Sequence, residues 1–235
     1  MQRKEKIAII GAGIQGVCAA LFLQKRGFNV TLFDRDEPGN AASYGNAGHF
    51  SPYASLQLNR TDILSDVPAM LLSSRGPLAI KWNYILKMLP WFTKFILNSS
   101  KKKMMHTAKY MHQILNLSLE AFDELFQDID LNSLVVNNGI MYVWEKKGLK
   151  SRELEINIRK ELGVDQQILT QKEIHDLEPN IKPFYHGGVF YKYARHARNP
   201  KKILIKLFES FLNNGGKFLK ININDLDFDE KKPVL

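Results

Sequence analysis

Ile7-Ala-Ile-Ile-Gly-Ala-Gly-Ile-Gln-Gly-Val17, with Asn29-Val-Thr-Leu-Phe-Asp34 after it, decides the fold class. The run Ile7–Ile10 is short, apolar throughout and stops at a glycine, which is the pattern of a buried parallel strand. From Ile14 onward Val17, Ala20, Leu21 and Leu23 recur at helical spacing, and Gly27 stands where a helix C-cap belongs. Asn29 to Phe33 is a second strand. Strand, tight turn, helix and strand make a βαβ unit, whose crossover is right-handed.

The turn itself carries chemistry. Gly11-Ala-Gly13-Ile14-Gln15-Gly16 is a GxGxxG pattern, and Asp34 closes the second strand eighteen residues beyond Gly16. Each type has a physical task in binding a dinucleotide. Gly11 makes the sharp turn, Gly13 lets a pyrophosphate approach the backbone at the helix N-terminus, and Gly16 lets the helix pack against the strand. Asp34 is placed to accept hydrogen bonds from a ribose hydroxyl. The pattern reads the ADP moiety, so it leaves NAD and FAD both open. The next loop, Ala41-Ala-Ser-Tyr-Gly-Asn-Ala-Gly-His-Phe-Ser-Pro52, is rich in small residues and suits a longer cofactor lying along it. A plain surface loop is the alternative.

Outward from this core the chain changes character. Between Thr61 and Ile129, Trp82, Ile85, Leu86 and Leu89, then Phe92, Phe95 and Ile96, then Ala108, Met111, Leu115, Phe122 and Phe126 fall at helical spacing. We read these Met and aromatic residues as core filling in a helical insertion. Leu134-Val-Val136 and Ile140 to Trp144 flank Asn137-Asn-Gly139 and read as a hairpin. Ser151 to Leu162 is an amphipathic helix, Thr170-Gln-Lys-Glu173 a capping box and Gly188 to Tyr191 a strand. Asn199-Pro200 opens a helix to about Leu212, and Lys217 to Ile223 is a last strand.

Composition excludes several classes. The chain has 235 residues, 45% hydrophobic and 24% charged, and can remove roughly three quarters of its unfolded surface from water without a disulfide or metal. One cysteine, Cys18, forbids an internal disulfide or a multi-cysteine metal site and points to a reducing, cytoplasmic setting. Cys18 itself reads as a small buried hydrophobe. His106, His112, His175 and His186 lack metal-ligand spacing, so no metal is expected. The net charge of +9 comes from scattered Lys, including Lys101-Lys-Lys103 and Lys146-Lys147, with no base-reading module beside it, so no nucleic-acid partner is expected. Ile7–Leu23 is too rich in glycine for a signal peptide. Pro77–Leu97 carries Lys81, Lys87, Pro90 and Lys94, which a membrane-spanning helix would have to bury.

The glycine fingerprint, Asp34-Arg35, Ser43-Tyr-Gly-Asn-Ala-Gly-His49 and Ser51-Pro52 together resemble the FAD-dependent D-amino-acid dehydrogenase group of the glycine and D-amino-acid oxidase (DAO) family. Leu89-Pro-Trp-Phe92, Leu169 to Pro179, Gly187-Gly-Val-Phe190 and Arg195 to Pro200 resemble that group too. The resemblance implies an α/β fold. It comprises a Rossmann-like FAD/NAD(P)-binding βαβ domain, discontinuous over residues 1–60 and 193–235, with an inserted α+β substrate domain over 61–192. It implies FAD as cofactor and oxidation of the C–N bond of a D-amino acid or related amine, giving an imine that water converts to a 2-oxo acid. Flavin contacts carry over to Gly11, Gly13, Ile14, Gln15, Gly16, Asp34, Arg35, Ser43, Asn46, Ala47, Gly48 and backbone at Ile223. His49 is the one candidate for tuning flavin or substrate electrostatics, with a structural histidine as the alternative. Quinone and oxygen both stay open as electron acceptor, and so does peripheral attachment to the inner face of a membrane.

Members of that family are longer, and their second half completes the FAD domain and clamps the substrate carboxylate. The chain is therefore expected to be the N-terminal part, C-terminally incomplete as a fragment, split-gene product or relic, and a neighbouring frame is one expected source of the C-terminal half. An NAD(P)-dependent Rossmann dehydrogenase and a catalytically silent ADP/FAD-binding module are the competing readings.

Overall fold

The structure, a computed structural model, describes residues 5–60, 64, 67, 70, 71, 81–145, 149–229 and 232–234. Most of the stretch expected to open the helical insertion, from Thr61 to Ile80, lies outside the described residues, as do Lys146 and Lys147. The chain divides into two units, one of Met1–Phe50, Glu120–Asn137 and Arg195–Leu235, the other of Ser51–Leu119 and Asn138–Ala194.

The first unit is built on strand β1 (Lys6–Ile10), helix α1 (Ile14–Lys25) and strand β2 (Asn29–Asp34). β1 and β2 run parallel, Ile7 facing Val30 and Ile9 facing Leu32, and the strand Lys217–Lys220 adds parallel to the other side of β2. The sheet order is therefore β1, β2, Lys217–Lys220. Val17, Ala20 and Leu21 of α1 meet Val30 and Leu32 of β2 and Ile203, Leu204, Leu207 and Phe211 of the helix Pro200–Asn213, all essentially solvent-free. Burying seven or more such side chains at about 1.5–3 kcal/mol each gives this layer its cohesion. The Pro200 helix starts as its sequence dictates, with Asn199 Oδ1 accepting from Lys202 N–H at 2.9 Å and proline in the first turn.

Residues 120–137 group with this unit, whereas the sequence reading put them in the insertion. Leu125 and Leu131 enter the same core. Lys25 pairs with Asp128 at 3.3 Å, and Arg195 grips Asp123 with both terminal nitrogens. The expected hairpin at Asn137-Asn-Gly139 is also corrected. Val135–Val136 pairs with Arg195–Ala197, while Ile140–Trp144 pairs with Gly187–Tyr191 in a different sheet. Asn-Gly turns the chain at Gly139 (φ +73°), but both flanking strands find better partners far away in sequence, and the turn becomes a crossing between units.

In the second unit the strand Gly187–Tyr191 is central, antiparallel to Ile140–Trp144 on one side and to Gln167–Leu169 on the other. Alternation sorts its side chains: Val189 and Tyr191 join Tyr53 and Ala194 in one cluster, and Phe190 packs against the Leu169, Ile174 and Tyr185 cluster. The helix Gln171–Leu177 begins at a complete capping box between Thr170 and Glu173. The helix Ile85–Leu97 runs through Pro90 without ending, and none of its side chains is buried. Trp82, Leu86, Ile96 and Met111 are 70%, 77%, 57% and 41% exposed, so these residues do not fill a core as the periodicity suggested. In the helix Lys101–Asn116 only Met104 and Ala108 are buried. No helix among the described residues is long and apolar enough to cross a membrane.

Candidate functional site

Gly11 leaves β1 with φ +110°, a backbone conformation open to glycine, and its N–H donates to the Phe33 carbonyl at 2.7 Å. This ties the turn to the end of β2. The Ala12 N–H then donates to Asp34 Oδ2 at 2.7 Å, and Asp36 N–H donates to Asp34 Oδ1 at 3.0 Å. Asp34 therefore braces the turn, with carboxylate lone pairs remaining for a further donor. Ala12 carbonyl accepts from Gly39 N–H at 3.2 Å, which draws the 36–43 segment over the turn.

At Gly13 the helix begins without a side-chain cap and without an acidic residue in its first turn. Its first N–H, on Ile14, donates to Ser43 Oγ at 3.0 Å. The next N–H groups have no intrahelical acceptor by geometry, and the helix dipole adds partial positive charge there. A Cβ on Gly13 would stand 3.2 Å from Ser43 Oγ, inside the cradle; one on Gly16 would stand 1.9 Å from the Gly11 carbonyl oxygen. The glycines thus hold open a cleft of about 440 Å³ whose wall includes Gly11, Gly13, Ile14, Gln15, Asp34 and Ser43. That size and a helix N-terminus without an acidic side chain in its first turn suit the phosphates and ribose of a dinucleotide.

The structure gathers seven of the expected contact residues at this cleft, the six just named and Asn46. Asn46 also shapes the loop, since its Oδ1 accepts from Gly48 N–H at 2.7 Å and its Nδ2 donates to the Ser43 carbonyl. Gly16 acts behind the wall, in helix packing. Arg35 is exposed and bonded to Asp36 at 3.1 Å, outside the cleft. Ala47, Gly48 and His49 also lie outside it; His49 is exposed on a two-residue strand opposite His196. Ile223 lies beyond the end of the last parallel strand, which stops at Lys220, and does not reach the wall. Sequence reading missed Asp36, Glu37, Gly39 and Asn40 in the wall. The Pro38-Gly39 dipeptide was the available signal, as a turn that folds the segment back. Cys18 is partly buried on α1, and burial pushes its thiol up to about 12, so it is an inert packing group.

The second unit has its own polar cluster, which no sequence motif announced. Glu155 Oε1 accepts from Arg60 at 2.8 Å and Arg152 at 3.1 Å, and Oε2 accepts from Arg159 at 3.1 Å. Arg159 also donates to the Tyr53 carbonyl, and Tyr53 stacks on Tyr191 at 3.8 Å. Burial pushes the Glu155 carboxyl up, but the Arg60 hydrogen bond and the three guanidinium charges outweigh it and leave the pKa below its ordinary 4.5. Its stabilising contribution is complete above that value and is lost as pH falls through the lowered one. Glu155→Gln is expected to cost about 2 kcal/mol at pH 7. The gap to the parent should close in acid, where the parent's own carboxyl is protonated. Urea midpoints at neutral and acid pH measure this, and a gap that does not shrink would refute it.

Three comparisons bear on the chain. A D-amino-acid oxidase of Bradyrhizobium diazoefficiens is 32% identical over the whole chain, which covers 56% of that relative. A D-amino acid dehydrogenase of Helicobacter pylori is 24% identical over 99% of the chain and 55% of its own length. The crystal structure of glycine oxidase from Geobacillus kaustophilus superposes with a TM-score of 0.59 over 95% of this chain and 49% of that one, at 15% identity, a likeness of fold alone. The chain thus spans about half the length of the curated relatives it matches. The family described as FAD dependent oxidoreductase (DAO) matches residues 6–233, nearly every residue from β1 to the C-terminal segment, and the chain belongs to that family.

Proposed function

We propose that the cleft at the glycine turn holds the ADP part of FAD and that the protein serves oxidation of the C–N bond of a D-amino acid or related amine. The observation that carries this is the start of α1, where Gly13 adds no side chain and leaves room, no acidic residue occupies the first turn, and Ser43 Oγ already holds the Ile14 N–H. The Gln15 N–H is the donor for a phosphate, Ser43 steadies the helix end, and Asp34 takes a ribose hydroxyl. When bound, the flavin supplies a two-electron acceptor. The names of the Bradyrhizobium and Helicobacter relatives support an amino-acid substrate. Gly48, His49 and Arg35 are assigned no contact.

Titrating the intact chain with FAD while following flavin fluorescence tests the site. Ser43→Ala should weaken binding about tenfold, the loss of one hydrogen bond near a charged group. Unchanged affinity would remove Ser43 from the site. For turnover, the loaded chain is mixed anaerobically with D-alanine, D-proline or sarcosine. We expect no rapid bleaching of the flavin by the chain alone, because a loosely held substrate loses about a hundredfold or more in rate. Rapid bleaching would show that this half orients substrate unaided.

A further inference from the structure

We infer that a cavity within the second unit is a binding site for a small monocarboxylate that carries an apolar body and no ammonium group. Its floor is one face of the antiparallel sheet. Register sets Ile140 opposite Tyr191 and Tyr142 opposite Val189, so Tyr142, Trp144, Val189 and Tyr191 share that face. One side of the helix Leu149–Glu161 forms a wall, where Arg152, Glu155 and Arg159 follow one another at helical spacing. The ring of Tyr53, stacked on Tyr191 at 3.8 Å, borders the cavity as well. The enclosed space is about 260 Å³, the scale of a small molecule.

Hydrogen bonding around this space is incomplete in a way that specifies the ligand. The Tyr53 and Tyr142 hydroxyls satisfy each other at 2.9 Å. The Tyr191 hydroxyl and the Trp144 indole N–H have no partner among the described residues, although both are buried and Tyr191 is only 2% exposed. Buried polar groups are nearly always paired in native proteins, so two orphans bordering one cavity mark a missing partner. An indole N–H can only donate, and the partner is therefore an acceptor. Burial pushes the pKa of the Tyr191 hydroxyl up, which keeps its proton available for donation at neutral pH. Arg152 and Arg159 add two positive charges to the wall against the single negative charge of Glu155. Donors beside a positive surplus favour an anion, because charge-assisted hydrogen bonds are the stronger kind. Ile156, Val189 and the tyrosine rings supply apolar surface, which suits an organic acid better than inorganic phosphate. Glu155 is the one acidic residue of the wall among the described residues, and arginines occupy both its oxygens, so no carboxylate is left to pair an ammonium. An amino acid is accordingly a poor fit, and this inference does not rest on the substrate proposed for the flavin.

In FAD-free buffer, the intact isotope-labelled chain is titrated with phenylacetate while the indole N–H resonances of its three tryptophans are followed. That of Trp144 is identified by its loss in Trp144→Phe. We expect the Trp144 resonance to move downfield and to saturate with a Kd of about a millimolar or less. Phenylacetamide and D-phenylalanine should bind at least about tenfold more weakly, the first for want of charge and the second for its ammonium. Tyr191→Phe keeps the ring that stacks on Tyr53 and removes the hydroxyl alone. It should weaken phenylacetate binding about tenfold yet melt no lower than the parent, because the unpaired group leaves with it. Arg152→Gln, at a side chain 49% exposed, should weaken binding several-fold with the fold intact, and decides the matter by itself if Tyr191→Phe does not fold. A Trp144 resonance unmoved by tens of millimolar phenylacetate, an equal response to the amide or the amino acid, or parent-like affinity in the variants would overturn the assignment and leave water as the partner of the two groups. The resonance belongs to the second unit, so a failed FAD titration leaves this inference standing, and the converse.

Discussion

Gly16→Ala is expected to destabilise the first unit by about 3 kcal/mol, the upper end for overpacking a core. The new methyl carbon would sit 1.9 Å from the Gly11 carbonyl oxygen, 3.1 Å from its carbon and 3.5 Å from Ile9. The obstacle is backbone, and it is pinned: Gly11 N–H holds the Phe33 carbonyl, and Ala12 N–H holds Asp34. Relief requires α1 to retreat from the strand, which opens gaps around Val17, Ala20 and Leu21, all at most 3% exposed. Dense interiors have no slack to absorb such a shift. Urea unfolding followed by far-UV circular dichroism measures the loss, and a midpoint equal to the parent's would mean that the close helix–strand approach is not as described.

Gly13→Leu should act differently, leaving the fold in place and reducing FAD affinity by at least about a hundredfold, or ~2.7 kcal/mol. Gly13 has φ −77°, available to any residue, and the nearest atom to an added Cβ is the rotatable Ser43 hydroxyl at 3.2 Å. Alanine is therefore tolerated structurally. Leucine extends into the cleft beside the first helix N–H, where the pyrophosphate has to approach. A circular dichroism spectrum like the parent's together with lost flavin binding is the expected pair of results. Parent-like affinity in the leucine variant would displace the cofactor from this cleft.

The contrast between these glycines shows how much local sequence encodes. Spacing identified the turn, and structure then separated one glycine that guards a cavity from one that guards helix packing. Asp34 was legible as a cleft residue, yet its engagement with Ala12 and Asp36 N–H groups was not, because hydrogen-bond partners depend on how the turn closes. The Glu155 cluster was illegible for the same reason. Arg60 and Glu155 are far apart in sequence and meet only in the folded second unit.

The sequence by itself determined the local units: β1, the glycine turn, α1 and β2, the Thr170–Glu173 capping box and the Asn199-Pro200 helix start. Each depends on residues within a few positions of one another, where steric and hydrogen-bond preferences act without distant help. Tertiary structure alone decided which strands pair across Asn137–Gly139, that residues 120–137 join the first unit's core, and that the apolar helix Ile85–Leu97 is exposed. It also decided that the apolar run of β1 is covered on one face only. Periodicity identifies an apolar side chain's face on its own element but carries no information about what, if anything, lies against that face.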